Sequence, residues 1–319
     1  MNELRLIRLD KGKPRHASIN DVNEFEEAIL SIDNIKTLPE FNNKYLKKIF
    51  RPGVVNIINS IIPKFSSPVF YVSMGISEAN RSIPFALFSS NNILYLFDAW
   101  PKYYHLISKI VRAYNISHLF VSSKESAENL EGLLMNTKVH WCPEACNPDK
   151  YNPSDYRDKD IDVLQFGRKY DHWHNLVVSD FEQLGISYLY EKIKGQLVFN
   201  SRPDFINGLG RTKISICFPM NITHTEISGG ISTMTYRYFQ SMASKCLIVG
   251  IKPAEMDYLF DYEPVIQIDI DNPVEQISYI LKNFNDYIPL IERNYNECTT
   301  KHTWQNRWKM IRETLKDNQ

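Results

Sequence analysis

Hydroxyl residues stand ahead of a helical pattern in residues 232–250, and together they indicate anion chemistry. Ser232, Thr233 and Thr235 are of the type that begins a helix, and apolar residues follow at helical spacing as far as Ala243. A short apolar run after this helix predicts a strand buried on both faces. Because unpaired backbone N–H groups and the positive end of the helix dipole coincide at a helix N-terminus, the stretch predicts an anion site.

A basic segment follows a predicted strand at residues 160–166. Gly167 opens the loop after this strand, and Arg168 and Lys169 come next. Open α/β sheets bind ligands at the carboxyl ends of their strands, where guanidinium and ammonium groups hold phosphate oxygens well. Arg237, inside the predicted helix, is a further candidate for the same anion, and an ion pair with an acid of its own domain is the structural alternative.

These segments need a scaffold of parallel strands, and the sequence predicts one. Strand patterns alternate with helical patterns, which is typical of a parallel sheet covered by helices on both faces. Three prolines within residues 143–153 mark a linker, and 319 residues exceed the size at which single cores stop growing. We therefore predict an α/β protein with two domains, residues 1–153 and 154–319. The clearest strands of the first domain are predicted at residues 68–72, 93–97, 118–121 and 139–141.

Three further segments carry predictions about the scaffold. Alternating apolar and basic residues at positions 4–9 indicate an edge strand. Residues 54–62 are apolar enough to predict a buried segment, without favouring helix or strand. A final helix is predicted at residues 304–315, where Trp304 and Trp308 share one apolar face.

The bulk composition excludes some classes of function. A formal net charge of zero argues against a nucleic-acid partner. The five cysteines are scattered without a zinc-binding spacing, so we expect reduced thiols and no metal. The sequence shows no signal-peptide pattern and no apolar run of membrane-spanning length, so we expect a cytoplasmic protein.

Four motifs resemble those of glycosyltransferases of the GT-B fold, in particular the family 1/4-like and spore-protein-like bacterial enzymes. The family pattern R-x-F-E-A-L-A-x-G-x-x-V-V is matched by RYFQSMASKCLIV at residues 237–249. The interdomain pattern P-E-G-x-D-P-x-x-Y is matched by PEACNPDKY at residues 143–151. The second domain opens with DVLQFGR at residues 162–168, against D-V-x-x-x-G-x. Trp304 and Arg307 fit the pattern at the start of the final helix, whereas the first domain matches only in architecture.

This resemblance implies a fold and a reaction. Two Rossmann-like domains would face each other across a cleft, with the final helix crossing back to the first domain. The second domain would bind a nucleotide-sugar donor and the first a glycan or lipid-linked acceptor, with no cofactor and no metal ion. Bacterial surface polysaccharide or glycoconjugate synthesis is the implied setting. Basic and aromatic residues at positions 45–51 and 102–104 would then rest on the inner membrane surface that carries a lipid-linked acceptor.

The resemblance also implies where the donor diphosphate binds. The amides and hydroxyls of residues 232–235 would hold its oxygens, together with Arg168, Lys169 and Arg237. Gly167, in the same strand-end loop, would belong to this donor-binding site. Such groups would stabilise the charge that develops on a departing nucleoside diphosphate.

Two positions depart from the family pattern. Gln240 stands where the family has the carboxylate that holds the nucleotide ribose. A carboxylate accepts hydrogen bonds from both ribose hydroxyls, whereas an amide accepts with its oxygen and donates with its nitrogen. Ser232 stands eight positions earlier, where related retaining enzymes often carry an acid. These departures motivate one alternative, a non-catalytic member that binds nucleotide sugars or assembles with a partner enzyme. A nucleotide-sugar epimerase of the same shape is the other.

The polar loop at residues 221–230 lies between a strand and the predicted diphosphate helix. In the functional interpretation, His224 or Glu226 lies near the hydroxyls of the donor sugar, which makes Glu226 a candidate catalytic carboxylate. A flexible polar loop is the structural alternative.

The first domain should supply the group that accepts a proton from the acceptor hydroxyl. Asp98 is the first candidate because it follows a predicted strand directly, Glu78 is the second and His105 the third. A helix cap is the structural alternative for Asp98. Two Asp-x-Asp pairs, at residues 160–162 and 269–271, resemble metal motifs, but neither is assigned to a metal.

Overall fold

The computed structural model describes residues 4–8, 20–39, 52–61, 63–64, 67–89, 91–193, 195 and 197–317. Two parallel β-sheets account for the strands, which confirms the predicted α/β class. The first sheet has the order β2-β1-β3-β4-β5-β6 and the second β11-β10-β9-β7-β8. The strands are β1 (Arg5–Arg8), β2 (Lys36–Pro39), β3 (Val69–Ser73), β4 (Asn92–Leu96), β5 (Ile116–Val121), β6 (Lys138–Trp141), β7 (Ile161–Gln165), β8 (Tyr188–Tyr190), β9 (Thr212–Cys217), β10 (Leu247–Gly250) and β11 (Ile266–Gln267).

Helices connect successive strands and cover both faces of each sheet, as parallel pairing requires. Strands β3, β4 and β10 are buried along their whole length, which explains why their sequences are continuous apolar runs. The helices are α1 (Asp21–Ile32), α2 (Pro52–Ile61), α3 (Phe85–Phe88), α4 (Tyr104–Ala113), α5 (Lys124–Glu131), α6 (Asp171–Gln183), α7 (Arg202–Gly210), α8 (Met220–Thr223), α9 (Thr225–Ser228), α10 (Tyr236–Ala243), α11 (Pro273–Lys282), α12 (Ile288–Lys301) and α13 (Trp304–Asp317).

The final helix α13 lies against the first domain, as predicted. Trp304 and Trp308 are fully buried in the core that α1 forms with the first sheet. Trp304 stacks on Phe25 at 4.7 Å between ring centroids, and Trp308 meets Phe70 edge-on at 5.1 Å. The indole N–H of Trp308 also donates to the Asp33 carboxylate at 2.6 Å. Because large aromatic side chains bury so much surface, these contacts anchor the C-terminal end firmly on the first domain.

The chain therefore crosses between the two sheets twice, and the two crossings lie side by side. Cys146 in the linker pairs with the segment before α13 in a short parallel bridge. Its backbone carbonyl accepts from the N–H of Trp304 at 3.2 Å. Arg307 then donates to the carbonyl oxygens of Pro143 and Glu144 at 2.8 and 3.2 Å. The predicted domain boundary at residues 153/154 falls between β6 and β7 and stays a prediction.

Some scaffold predictions were wrong in detail. Strand β1 lies inside the first sheet, between β2 and β3, because an unpredicted strand, β2, forms the edge. The apolar segment after Pro52 is a helix that exposes Ile57 and Ile61 rather than a buried element. Helix α12 has no counterpart among the sequence predictions. Within the described ranges, no helix is long and apolar enough to cross a membrane.

Candidate functional site

A cavity of about 300 Å³ lies between the two domains, at the carboxyl ends of β3, β4 and β7. It is lined from both sides and by the linker between them. Six of the predicted site residues line it, namely Asp98, Gly167, Arg168, Thr235, Arg237 and Gln240. Glu144, which the sequence offers for a contact with the donor or for the hinge, lines it too, and further lining residues without a predicted role include Asp21, Met74, Glu191 and Tyr236.

Two guanidinium groups form the second-domain wall of the cavity. Burial and the nearby charge of Arg237 lower the pKa of Arg168 to about 10, against the opposing effect of Asp98. Within the described part of the chain, the buried Nε of Arg168 has no hydrogen-bond partner. Arg237 lies over the ring of Phe166 at 5.7 Å. Two like charges held together, one with an unused donor, make this wall an attractive seat for an anion.

Gly167 lets the backbone pass close to this pair. Its φ of +75° lies in the left-handed region that residues other than glycine rarely adopt. A Cβ at this position would lie 2.7 Å from Nη2 of Arg237, closer than any real contact. The strand-end glycine is therefore needed both for backbone conformation and for the position of the guanidinium.

Asp98 is the central carboxylate of the first-domain wall. Burial raises its pKa, and the negative charge of Glu78 adds to this effect, while Arg168 and a hydrogen bond from Trp100 oppose it. The indole Nε1 of Trp100 donates to the Asp98 carboxylate at 3.1 Å. No side chain caps the short 3₁₀-helix that follows at residues 101–103, so the capping alternative for Asp98 does not describe this structure.

Glu144 from the linker joins this acidic wall. Burial raises its pKa well above the usual range, and the charges of Asp21 and Asp98 add to the effect. A hydrogen bond from the backbone N–H of Tyr236 opposes the shift. Because Tyr236 is the first residue of α10, the Glu144 carboxylate lies at the helix N-terminus where the sequence predicted a bound anion.

The hydroxyl residues before α10 are placed differently from the prediction. Thr235 lines the cavity at the N-cap position, but its side chain makes no capping bond. Thr233 instead donates to the buried carboxylate of Glu255 at 2.6 Å. Ser232 accepts from the backbone N–H of Ala254 at 3.0 Å. Neither Ser232 nor Thr233 is among the lining residues, because both are engaged by the segment that follows β10.

Gln240, the residue at the predicted ribose position, is almost fully buried at the cavity. Its Nε2 donates to the hydroxyl of Tyr151 at 3.1 Å. Tyr151 belongs to the linker and is itself buried. The amide is therefore held from behind by a side chain outside its own helix.

Four other predicted residues lie away from the cavity lining. Glu78 pairs with Arg81 at 3.4 Å and reaches the site through its effect on the pKa of Asp98. Lys169 pairs with Asp171 at 3.1 Å. His224 and Glu226 lie at the junction of α8 and α9 and within α9, where Glu226 is exposed.

His105 is exposed on α4 and is not a lining residue either. The two Asp-x-Asp pairs are engaged in other interactions, since Asp162 pairs with Lys213 at 2.7 Å and Asp269 accepts from the backbone of the following turn. In the residues that the structure describes, no group of three or more histidine, cysteine or acidic side chains is arranged to hold a metal ion. Residues 45–51, predicted to contact a membrane, lie outside the described residues.

Two acidic lining residues come from the interface between the domains. Glu144 lies in the interdomain motif quoted above, which allows a contact with the donor or a role at the hinge, but its position at the tip of α10 depends on how the linker packs. Asp21 begins α1, where an acid is expected for the helix dipole alone. Only the contact between the domains shows that these carboxylates face the same cavity as Arg168.

No family model and no curated protein matches this chain. Solved structures do match it over nearly its whole length. Anabaena Alr3699/HepE in complex with UDP and glucose is 9% identical, with a TM-score of 0.59 over 98% of this chain and 99% of that one. Sucrose-phosphate synthase from Thermosynechococcus elongatus is 9% identical, with a TM-score of 0.59 over 98% of each chain. A glycosyltransferase from Rickettsia africae is 10% identical, with a TM-score of 0.57 over 98% of this chain and 97% of that one.

These similarities show that the chain has the GT-B fold, with two Rossmann-like domains facing each other. The predicted architecture is thereby confirmed, including the first domain, where the sequence motifs carried no information. At 9 to 10% identity the neighbours establish the fold alone.

Proposed function

We propose that this protein is a glycosyltransferase that moves a sugar from a nucleotide-sugar donor to a glycan or lipid-linked acceptor. The observation that carries the proposal is the cavity between the domains, where Arg168 and Arg237 face Asp98. The buried Arg237 and the half-buried Arg168 suit a diphosphate leaving group, and the half-buried carboxylate of Asp98 suits the removal of a proton. Neighbours of the same fold whose complexes contain UDP or UDP-glucose support a nucleotide sugar as the donor.

In this proposal, the second domain holds the donor. Arg168 and Arg237 bind the diphosphate and stabilise the negative charge that it gains as it leaves. Thr235 and Gln240 contact the nucleotide at the N-terminal half of α10. His224 and Glu226 remain candidates for contacts with the donor sugar, although they lie outside the cavity lining, whereas Lys169, predicted to hold the diphosphate, pairs with Asp171 outside that lining. The cations of the protein do this work in our proposal, with neither a metal ion nor a cofactor.

Asp98 is the proposed base on the first-domain side. An acceptor hydroxyl gives its proton to the Asp98 carboxylate as its oxygen forms a bond to the donor sugar carbon. The bond between that carbon and the diphosphate oxygen breaks, and the nucleoside diphosphate leaves towards Arg168. The raised pKa of Asp98 makes it a better proton acceptor than an exposed carboxylate. Glu78 assists from outside the cavity by raising that pKa.

The cellular setting of the reaction is proposed from the resemblance to bacterial glycosyltransferases and from the glycan or lipid-linked acceptor. The reaction would take place in the cytoplasm, on glycans used for bacterial surface polysaccharides or glycoconjugates. A lipid-linked acceptor would bring the first domain to the inner membrane surface. Lys102, an exposed residue of the first domain, is one residue that would lie near such a surface.

The test begins with a thermal-shift screen of nucleoside diphosphates and their sugars, since a ligand that binds only the native state raises the melting temperature. UDP and UDP-glucose come first, and GDP serves as the comparison. Donors that bind are then incubated with oligosaccharide and lipid-linked acceptors, and products are identified by mass spectrometry. Transfer to an acceptor would support the proposal. Interconversion of the free nucleotide sugar would instead indicate an epimerase.

A non-catalytic nucleotide-sugar binding protein is the second candidate. The observation that favours it is Gln240, an amide at the family position of a carboxylate, together with a serine at position 232. Binding in the screen without transfer, hydrolysis or interconversion of any donor would support this candidate over the enzyme. Failure of every nucleotide to bind would contradict both.

A further inference from the structure

Behind Gln240, a chain of buried hydrogen bonds leads from the cavity to the first domain. The Nε2 of Gln240 donates to the hydroxyl of Tyr151 at 3.1 Å, and this hydroxyl donates to that of Tyr236 at 3.0 Å. The Nη2 of Arg202, on α7, donates to the Tyr151 hydroxyl at 3.0 Å and lies 3.4 Å from that of Tyr236. The same guanidinium nitrogen donates to the carboxylate of Glu24, on α1 of the first domain, at 2.8 Å.

The two ends of this chain fix the direction of every bond in it. Arg202 can only donate, and an ionised carboxylate can only accept. The Glu24 carboxylate, fully buried, accepts from Arg202 on one oxygen and from the backbone N–H of Asn147 on the other. The hydroxyl of Tyr236 also donates to it. The Tyr236 hydroxyl hydrogen is therefore used on Glu24, and the Tyr151 hydroxyl hydrogen is used on Tyr236.

That direction determines what Tyr151 can offer to Gln240. Its hydroxyl hydrogen is used towards Tyr236, so its oxygen accepts from both Arg202 and Gln240. An oxygen that only accepts selects the nitrogen end of a neighbouring amide. Gln240 is therefore held with Nε2 towards Tyr151 and with Oε1 as the end turned away from it.

We propose that Tyr151, held by Arg202 and Glu24, is a positioning residue that fixes the Gln240 amide so that Oε1 accepts a hydrogen bond from a ribose hydroxyl of the bound nucleotide. This proposal rests on the proposed function, because it presumes a nucleotide in the cavity. It goes further by giving a role to residues that do not touch the ligand and that belong to the linker and to both domains.

The substitution of a carboxylate by an amide explains why such a device is needed. Both oxygens of a carboxylate accept, so the group serves a ligand hydroxyl in either orientation. An amide serves it only when its oxygen faces the ligand, and a rotation of 180° replaces the acceptor by a donor. Tyr151 removes this ambiguity before the ligand arrives.

The test compares wild-type protein with Tyr151→Phe, which removes one hydroxyl oxygen and keeps the ring. Binding of UDP, 2′,3′-dideoxy-UDP and inorganic pyrophosphate is measured by titration calorimetry. We expect the variant to bind UDP roughly tenfold more weakly, the usual effect of one hydrogen bond. Dideoxy-UDP and pyrophosphate should bind both proteins equally, because neither offers a ribose hydroxyl to Gln240.

Tyr238→Phe is the matched control. Tyr238 lies on the same helix, is fully buried and donates its hydroxyl to the carbonyl of Ile251 at 2.8 Å, outside the chain of bonds described above. Its loss should lower the melting temperature and leave UDP affinity unchanged. Arg202→Lys is the second test variant. It keeps the charge, but its shorter side chain does not place a nitrogen where Nη2 of Arg202 contacts Tyr151. UDP affinity should therefore fall as predicted for Tyr151→Phe, which keeps the test open if Tyr151→Phe itself fails to fold.

A third variant tests the amide directly. In Gln240→Glu both ends of the side chain accept, so no orienting group is needed. The Tyr151 oxygen, which only accepts, then faces another acceptor, so adding Tyr151→Phe to Gln240→Glu should leave UDP affinity unchanged or raise it, whereas alone it lowers UDP affinity roughly tenfold. Equal effects in the two backgrounds would contradict an orienting role.

The possible failures are distinguishable. Wild-type protein that binds neither UDP nor pyrophosphate would contradict the proposed function and the positioning role with it. Wild-type protein that binds UDP and dideoxy-UDP equally would leave the proposed function intact and overturn the hydroxyl contact. A loss of affinity for all three ligands in Tyr151→Phe would show a structural effect of the hydroxyl and overturn the positioning role.

Discussion

The two walls of the cavity carry opposite charges and come from opposite domains. The second-domain wall presents Arg168 and Arg237, while the first domain and the linker present Asp21, Asp98 and Glu144. Burial opposes ionisation on both sides, since it lowers the pKa of Arg168 to about 10 and raises that of Asp98. Each wall partly stabilises the charge of the other. The difference separates two tasks, because the cationic wall can hold a leaving anion and the anionic wall can take up a proton.

The largest expected effect is on the anionic wall. Asp98→Asn keeps the shape of the side chain and removes the proton acceptor, so kcat for transfer should fall roughly 10²- to 10⁴-fold. The donor affinity should change little, because donor contacts lie on the other wall. Steady-state kinetics with a separate titration of UDP distinguishes the two quantities. Glu78→Gln is the control, with a smaller loss, since Glu78 acts on Asp98 only through its charge. A fully active Asp98→Asn protein would remove the proposed division of tasks.

On the cationic wall, Arg168→Ala should weaken UDP binding about 100-fold, because it removes a charge-assisted contact to phosphate in a buried site. Titration calorimetry measures the change. Lys169→Ala is the matched control, since the neighbouring lysine pairs with the exposed Asp171 and lies outside the cavity lining. Its UDP affinity should stay within about twofold, the small effect of an exposed pair. Equal losses of UDP affinity in Arg168→Ala and Lys169→Ala would show that Arg168 has no special role in binding the anion.

Gly167→Ala tests whether the cationic wall depends on its backbone. The left-handed φ should cost about 1–2 kcal/mol of unfolding free energy. The new Cβ should also displace Arg237 and lower UDP affinity several-fold. Gly185→Ala provides the comparison, since Gly185 has a φ of +69° and nothing within 4 Å of a Cβ. Gly185→Ala should lower the free energy of unfolding, measured with denaturant, and leave UDP affinity unchanged.

The smallest effect concerns Glu144 and the pH dependence of stability. Its pKa in the folded protein is raised above the ordinary value of 4.5, so the native state binds the proton more tightly than the unfolded state. The stabilisation that comes from protonated Glu144 is complete below pH 4.5, the ordinary pKa, and it is lost as the pH rises through the raised pKa of the folded protein. Glu144→Gln should remove a decline of at most ~1.4 kcal/mol per pH unit in this window. Urea unfolding at several pH values checks it, and an unchanged slope would show that Glu144 is not buried as a carboxyl group.

Most of the scaffold and the residues of the cationic wall could be predicted from the sequence. Strands that are buried on both faces are continuous apolar runs, and residues that follow them, such as Arg168 and Asp98, must lie at the ligand-binding edge of a parallel sheet. The local sequence pattern was enough in these cases, because a residue that directly follows a parallel strand lies at the carboxyl edge of the sheet. It failed for β1, since the edge strand β2 has a short mixed sequence that gives no strand signal.

The errors arose where a partner distant in sequence decides the outcome. Thr233 has the sequence context of a helix cap, but its hydroxyl is taken by Glu255, which lies 22 positions later. Glu144 reaches the N-terminus of α10 only because the linker folds against the second domain. The same holds for Glu24, an apparently ordinary acid in the first turn of α1 that is fully buried against Arg202. Propensity at one position contains no information about such pairings.

Helix α13 has a consequence for the order in which the protein is made. Trp308 and its partner Asp33 are 275 positions apart, and the tryptophan leaves the ribosome long after the residues that it covers. At roughly 5–20 residues per second, that interval is on the order of 14 to 55 seconds. During this time Phe25 and Phe70 lack the indole rings that later lie against them. The domain that is synthesised first is therefore completed last, after the second domain has already emerged.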